Sequence, residues 1–399
     1  MLSDIRVLDF THVFMGPSCT QLLGDFGADV IKVESPRGDI SRSVIVDEDG
    51  LDNPIFQSVN RNKRSVVLDL KREGGRKALL SLAATADVVV SNFRPGALDR
   101  LGVGESAIRE VRPDIIWATG TGYGHAGPYC EKGGQDALAQ AYSGVMYRAA
   151  EFGHPPAVYP TAICDYITGM HLFQGILLAL KHRERTGEGQ RIDVSLYDSM
   201  LHLQMQEAAM RLNREQEINW GGMPLTGVFP TRDSAICVVG GFHPHRLKAL
   251  ATALDAEEIL DNPLFATLES RFRNRPALQE ILRTKLLENT TAHWISKLEE
   301  QDILCAPVRN LSEALEDPQT VLNDMLIEMD HPVSGTVRMV GNPIHMSTPS
   351  WKVTRPAPTL GQHTEDVLRS IGYSDVDLDQ LRNTGAISQC TGREVARSQ

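Results

Sequence analysis

Residues 5–34 read IRVLDFTHVFMGPSCTQLLGDFGADVIKVE. An apolar run over 5–10 passes through a turn at Gly16 and Pro17 into a helical stretch over 18–26. After Gly27 a second apolar run, 30–33, closes on Glu34. Strand, helix and strand within one short stretch form a βαβ unit, the opening of a parallel sheet. A dinucleotide fold would use Glu34 as its ribose acid, but the first turn is THVFMGPS and lacks GxGxxG. Without those glycines the backbone cannot close on a pyrophosphate, so NAD is not expected.

The same pattern repeats downstream. SVVLDL (65–70), ADVVV (86–90) and IIWAT (115–119) are further strand candidates. The second runs into SNFRPGALDRLG and the third into GTGYGHAGPYCEKGGQDALAQAYSG. Loops beyond the carboxyl ends of parallel strands are where α/β folds hold ligands. From about residue 201 the pattern changes to a Met-rich helix over 200–212, a glycine-bearing loop, a strand over 235–239 and helices over 240–254 and 275–287. The chain has 399 residues, more than one core usually organises. The expected fold class is α/β: a Rossmann-like parallel-sheet large domain (1–200), a smaller α+β domain with linkers (201–325), and a C-terminal segment (326–399) returning to the large domain. Linkers are expected near 205–230 and 325–360, and a closing helix over 365–370.

Residues 160–199, PTAICDYITGMHLFQGILLALKHRERTGEGQRIDVSLYDS, carry the first chemical signal. Asp165 precedes an apolar run over 172–180 that ends in basic residues, Gly187 and Gly189, and an alternating strand follows. The run is short of the roughly 20 residues a bilayer needs, so it reads as a buried core helix. Asp165 has two readings. It is a helix N-cap, satisfying free backbone N–H groups, or a catalytic carboxylate at the positive end of a helix, ionised at neutral pH and available as a nucleophile. Spacing alone leaves both open.

Composition bounds the rest. A hydrophobic fraction of 42% with 23% charged residues is ordinary for a globular chain. The net charge of -11 disfavours nucleic acid as a partner. Cysteines at 19, 130, 164, 237, 305 and 390 form no CxxC pair, so neither a disulfide framework nor a metal site is expected. The opening MLSDIRVLDF has no basic and apolar leader, which makes the cytoplasm the expected compartment. Arg61, Lys63, Arg64, Lys71, Arg72, Arg94 and Arg100 make a basic island in this acidic chain. It is either a seat for a small anionic ligand or a solvated surface.

Taken together, the quoted stretches resemble the class III CoA-transferases, which share a fold with 2-methylacyl-CoA racemases. The resemblance rests on VLDFTHVFMGPSCTQLLGDFGADVIKVE, KRSVVLDLK, SNFRPGALDRLG, TGYGHAGPY, Asp165 with the segment after it, CAPV (305–308) and GQHT (361–364). It implies an enzyme that moves CoA from an acyl-CoA thioester to a free carboxylic acid through a covalent intermediate on Asp165. Gln135 and Asp136 would stand near the thioester. His12, Leu68, Lys71, Asn92, Phe93, Arg94 and Arg100 would contact CoA, with Arg37 or Arg42 as further phosphate partners. An interlocked homodimer is implied, with no metal, membrane or nucleic acid. Oxalate or succinate are the acids expected by resemblance.

Two rival functions follow from the same resemblance. The racemases carry a histidine before an aspartate where this chain has Gln135-Asp136, and glutamine cannot shuttle protons. His125 is the remaining candidate for that chemistry and is expected to be structural. A CoA-binding protein without turnover is the third reading. Formyl-CoA transferases close a glycine run over their intermediate, where this chain has only Gly221-Gly222.

Overall fold

The computed structural model describes residues 1–44, 53–152, 155–216, 218–240, 246–348 and 351–388. Residues 241–245 of the helix expected over 240–254 lie outside the described residues. The chain divides into two compact units, one made of Met1–Gln204 with Asn323–Gln399 and the other of Met205–Leu322.

The first unit is built on six parallel strands: β1 (Arg6–Phe10), β2 (Asp29–Glu34), β3 (Lys63–Val67), β4 (Val88–Ser91), β5 (Ile116–Thr121) and β6 (Arg191–Ser195). Their order is β3-β2-β1-β4-β5-β6. This is the doubly wound arrangement, and its order reverses between β1 and β4. Successive side chains point to opposite faces. Val7, Val30, Val88 and Val90 pack on one side with Leu23, Leu172 and Ile176. Leu8, Ile31 and Val89 pack on the other with Leu79, Leu82, Val367 and Leu378. Because helices cover both faces, the strands read as continuous apolar runs.

Helix α1 (Met15–Asp25) follows β1, and α2 (Glu73–Ala83) follows β3. The loop after β5 leads into α3 (Asp136–Tyr142), then α4 (Ile163–Thr186), and α5 (Leu196–Leu203) follows β6. Gly187, at φ 75, ends α4 in the left-handed conformation that glycine favours. The expected helix over 200–212 is two helices that meet at Gln204, α5 and Met205–Arg214. The apolar run over 172–180 is only half covered: Leu172 is fully buried, while Leu178 is 73% exposed.

The second unit has an antiparallel sheet of β7 (Thr226–Pro230), β8 (Ala235–Val239) and β9 (Leu304–Pro307), in the order β7-β8-β9. Phe229, Ile236, Leu250, Leu282, Trp294 and Leu298 form its core. Gly221 and Gly222 lie there in a short 3-10 turn, Trp220–Gly222. Back in the first unit, residues expected to be linker instead form an antiparallel hairpin, β10 (Leu326–His331) with β11 (Gly335–Val340). The edge of β3 is covered by the C-terminal segment: Val67 N–H donates to Thr364 Oγ1 at 3.0 Å, and Asp69 N–H to the Ala386 carbonyl at 2.9 Å. Covering an edge strand removes a template for unwanted pairing.

Candidate active site

At the switch point the chain leaves β1 and turns over the sheet before α1 begins. Two buried lysines hold this turn. Lys32 Nζ donates to the Thr11 carbonyl at 2.6 Å and pairs with Asp39 at 2.8 Å. The other oxygen of Asp39 accepts the Val13 N–H at 3.1 Å. Lys63 pairs with Asp9 at 2.9 Å, and Asp9 also accepts the Thr11 N–H and the Thr20 hydroxyl, each at 2.8 Å. Both lysine side chains are 0% exposed, so each charge requires the carboxylate beside it. Burial opposes ionisation of Asp9, yet the ammonium groups of Lys63 and Lys32 hold its pKa down at about 2.

At the end of β4 the Asn92 amide clamps His12. It accepts the His12 N–H at 2.9 Å and donates to the His12 carbonyl at 2.8 Å. The turn between these clamps puts Val13 at φ 68. A β-branched residue rarely adopts that conformation, which costs about 1–3 kcal/mol. The His12 ring meets Phe93 edge-on, 4.9 Å between centroids. Burial, and then the Lys32 charge, lower its pKa, so the imidazole is neutral at pH 7.

Asp165 is the third residue of α4. One turn later, Gly169 lets α4 lie against the start of α1: a Cβ there would stand 2.3 Å from Ser18 Oγ and 2.6 Å from the Met15 carbonyl. Phe14 and Tyr166 stack across the same contact, 6.5 Å apart. The N-cap of α4 is Ala162, so Asp165 does not cap the helix. Its backbone N–H donates to Asp136 Oδ2 at 3.0 Å, and Gln140 Nε2 donates to Asp136 Oδ1 at 2.6 Å. The Asp165 carboxyl has no hydrogen-bond partner among the described residues and faces a cavity of about 610 Å³. Burial, and then the Asp136 charge, push its pKa up to about 7. The carboxyl expected to be ionised at neutral pH is thus only partly so there. Burial outweighs the favourable helix end, and the group titrates at neutral pH.

Of the residues singled out in the sequence, His12, Asn92, Phe93, Arg94, Gln135, Asp136 and Asp165 line this one cavity. Leu68, Lys71 and Arg100 do not. Leu68 is 1% exposed within the core. Lys71 and Arg100 are exposed outside the cavity, where Arg76 Nη1 donates to the Lys71 carbonyl at 3.0 Å. The basic island thus divides. Arg61, Lys63 and Arg64 are committed to Asp25, Asp9 and Asp29. Arg42 grips Glu34 in two bonds, at 2.9 and 2.8 Å, and is not free for a phosphate. Lys71, Arg94 and Arg100 have no carboxylate partner among the described residues. His125 bonds Thr119 at 2.8 Å and Asp193 at 2.9 Å, away from the cavity. No cluster that could hold a metal ion occurs among the described residues.

The loop from β5 to α3 is closed at its base by two glycines. A Cβ on Gly122 or Gly134 would lie 2.5 or 2.3 Å from the other's Cα, so neither position admits a side chain. This brings Lys132 to the cavity wall. Val13, Phe14, Met15 and Lys132 all line the cavity and went unnoticed in the sequence; the aromatic-flanked lysine in GPYCEKGG was the available signal.

Residues 2–364 match the model of CoA-transferase family III. The chain belongs to that family. Class III CoA-transferases act on acyl-CoA thioesters and carboxylic acids, so the protein is an enzyme of that class and CoA thioesters are its substrates. It is 33% identical over 395 residues to the succinyl-CoA:glutarate CoA-transferase of Homo sapiens, covering 97% of this chain and 90% of that protein. It is 34% identical over 419 residues to the formyl-CoA:oxalate CoA-transferase of Streptomyces coelicolor, covering 97% and 99%. Among solved structures, a CaiB/BaiF family protein from Brucella suis superposes with a TM-score of 0.83 at 30% identity, covering 93% of this chain and 99% of that one. In this class III CoA-transferase the cavity lies where doubly wound sheets bind ligands, beyond the carboxyl ends of β1, β4 and β5.

Proposed function

We propose that this class III CoA-transferase moves CoA from an acyl-CoA to a free carboxylic acid through covalent intermediates on Asp165, and that its acids are small dicarboxylates such as oxalate or succinate. One observation carries the reading: a carboxyl without a hydrogen-bond partner among the described residues, beside a second acid, in a cavity at the switch point. The names of relatives that act on glutarate and oxalate support the choice of acids.

The ionised Asp165 oxygen attacks the thioester carbonyl. The C–S bond breaks, leaving an aspartyl–acyl anhydride and CoA thiolate. The thiolate then attacks the aspartyl carbonyl, releases the first acid as its carboxylate and leaves an aspartyl-CoA thioester. The incoming carboxylate attacks that thioester, and the returning thiolate cleaves the new anhydride at its acyl carbon. Electrons and atoms balance without a net proton, and one difficult exchange becomes several easier ones. Each tetrahedral oxyanion needs a preorganised donor, a role the Gln135 amide fits. A glutamine there also disfavours racemisation, which needs a base.

Asn92, Phe93, Arg94 and His12 suit the pantetheine end of CoA, while the unpaired Lys71 and Arg100 suit its phosphates. Leu68, being buried, has only its main chain to offer. Exposed apolar side chains on α4 and α5, among them Leu177, Leu178 and Leu201, support a homodimer, interlocked by resemblance. Free Cys19, Cys130, Cys164, Cys237 and Cys305 support a reducing, cytoplasmic setting.

The test is chemical trapping. Asp165→Ala is expected to fold and bind CoA yet lose transfer by roughly 10⁴-fold or more. Wild-type protein turning over with hydroxylamine present is expected to carry a hydroxamate at position 165. Full activity in the variant, or a hydroxamate elsewhere, would overturn the reading.

A further inference from the structure

One cation in the cavity wall has no part in the steps above. Lys132 Nζ lies 4.3 Å from the centroid of the Tyr129 ring and 5.2 Å from that of Tyr142, and donates to the Tyr142 hydroxyl at 2.8 Å. Tyr129 and Tyr142 pack 5.0 Å apart, and Tyr123 meets them edge-on at 5.8 and 5.3 Å. A lysine is ordinarily a mobile point charge on a flexible stem. Here an aromatic wall attracts the ammonium and fixes its place. The hydrogen bond to Tyr142 raises its pKa, so it stays charged through the neutral range.

Lys32 and Lys63 each have a carboxylate within 2.9 Å, whereas Lys132 has none among the described residues. Of its three N–H donors one goes to Tyr142, and two remain for a ligand. The loop pinned by Gly122 and Gly134 ties Lys132 to Gln135 and Asp136, and Asp136 accepts the N–H of Asp165. The cation therefore stands on the loop that carries Gln135 and Asp136. Arg94, whose guanidinium lies beside Gly133, is a second cation on the same wall, whereas Lys71 and Arg100 lie outside the cavity.

We propose that Lys132, backed by Tyr129 and Tyr142, is the specificity-determining residue that receives the second carboxylate of a dicarboxylic acyl group. The inference rests on the transfer reading, in which one carboxyl is joined to CoA and reacts at Asp165. Lys132 is exposed at the rim of the cavity, so the second carboxylate meets the ammonium at the mouth, on the loop that also carries the repelling Asp136. A cation already held in place by its aromatic wall offsets that repulsion. A monocarboxylic group of the same length gains nothing from Lys132.

The experiment uses the full chain and two acids of matched size, succinate and butyrate. Lys132→Met is expected to lower kcat/KM for succinate about 10- to 100-fold, the scale of a charge-assisted hydrogen bond, while butyrate changes less than about 3-fold. Lys132→Arg is expected to recover part of the loss. An equal fall for both acids would overturn the proposal, since Lys132 would then serve CoA or the fold. A second arm needs no turnover. On an Asp165→Asn background, succinyl-CoA is expected to bind more tightly than butyryl-CoA, and Lys132→Met to erase that preference. Equal binding of the two thioesters when Lys132 is present would sink the carboxylate seat. A preserved preference without any hydroxamate on Asp165 would sink the transfer mechanism alone and leave the seat standing.

Discussion

At Asp165 two demands conflict. Attack on a thioester needs the ionised carboxylate, but burial and the neighbouring Asp136 hold the proton on to about pH 7. The rate is therefore expected to rise through about pH 7 as a single ionisation. Asp136→Asn removes the like charge and so lowers the Asp165 pKa, which moves this limb toward acid by up to about one pH unit. The amide can still accept the Asp165 N–H. A pH profile of kcat/KM reads the shift directly, and a limb that stays put or moves toward alkali would contradict the electrostatic account. Asp165 was legible in the sequence as an acid standing before an apolar helix, though its protonation was not, because burial depends on the whole cavity. The direction of the Leu68 side chain was not legible either. A residue at the end of a strand is as easily core as rim, and only the structure says which way it faces.

Among elements, the turn after β1 matters most, and its support lies in the strands themselves. Lys32 in DVIKVE, Lys63 in KRSVV and Asp9 in RVLDF interrupt the buried parts of their strands with charge. Those interruptions were visible in the sequence, but their pairing across strands needed the register. Asp9→Ala strands the Lys63 charge and is expected to cost about 3–5 kcal/mol in a urea titration at pH 7. The sign with pH follows from Asp9 standing at about 2 when folded. A depressed acid stabilises the fold above its ordinary value of 3.8, and that contribution disappears as pH falls toward 2. The gap between wild type and variant is therefore expected to narrow through that window; a gap that widens would count against the pair. The β10–β11 hairpin was missed for another reason. Its alternation of Ile327, Met329 and His331 sits among prolines and glycines that read as loop.

For the whole molecule, the parallel sheet and the change of pattern near residue 201 were legible in the chain, because strand periodicity survives without tertiary context. It misjudged α4. An apolar run over 172–180 reads as wholly buried, yet Leu178 is 73% exposed and Leu177 37%. A second copy of the chain is the proposed cover for that face. Leu178→Glu is expected to weaken the dimer at least about 10-fold by sedimentation equilibrium, with little change in Tm at low concentration. A variant that assembles as the parent does would remove α4 from the interface.

Asp165 as carrier of the acyl group can be followed with oxygen isotopes. When the returning thiolate cleaves the second anhydride at its acyl carbon, one oxygen of the acceptor acid stays behind on the aspartate. With an acceptor labelled with heavy oxygen in its carboxylate, the peptide containing Asp165 is predicted to gain labelled oxygen, and only when an acyl-CoA donor is present. Product formation with no label in that peptide would contradict a covalent aspartyl intermediate.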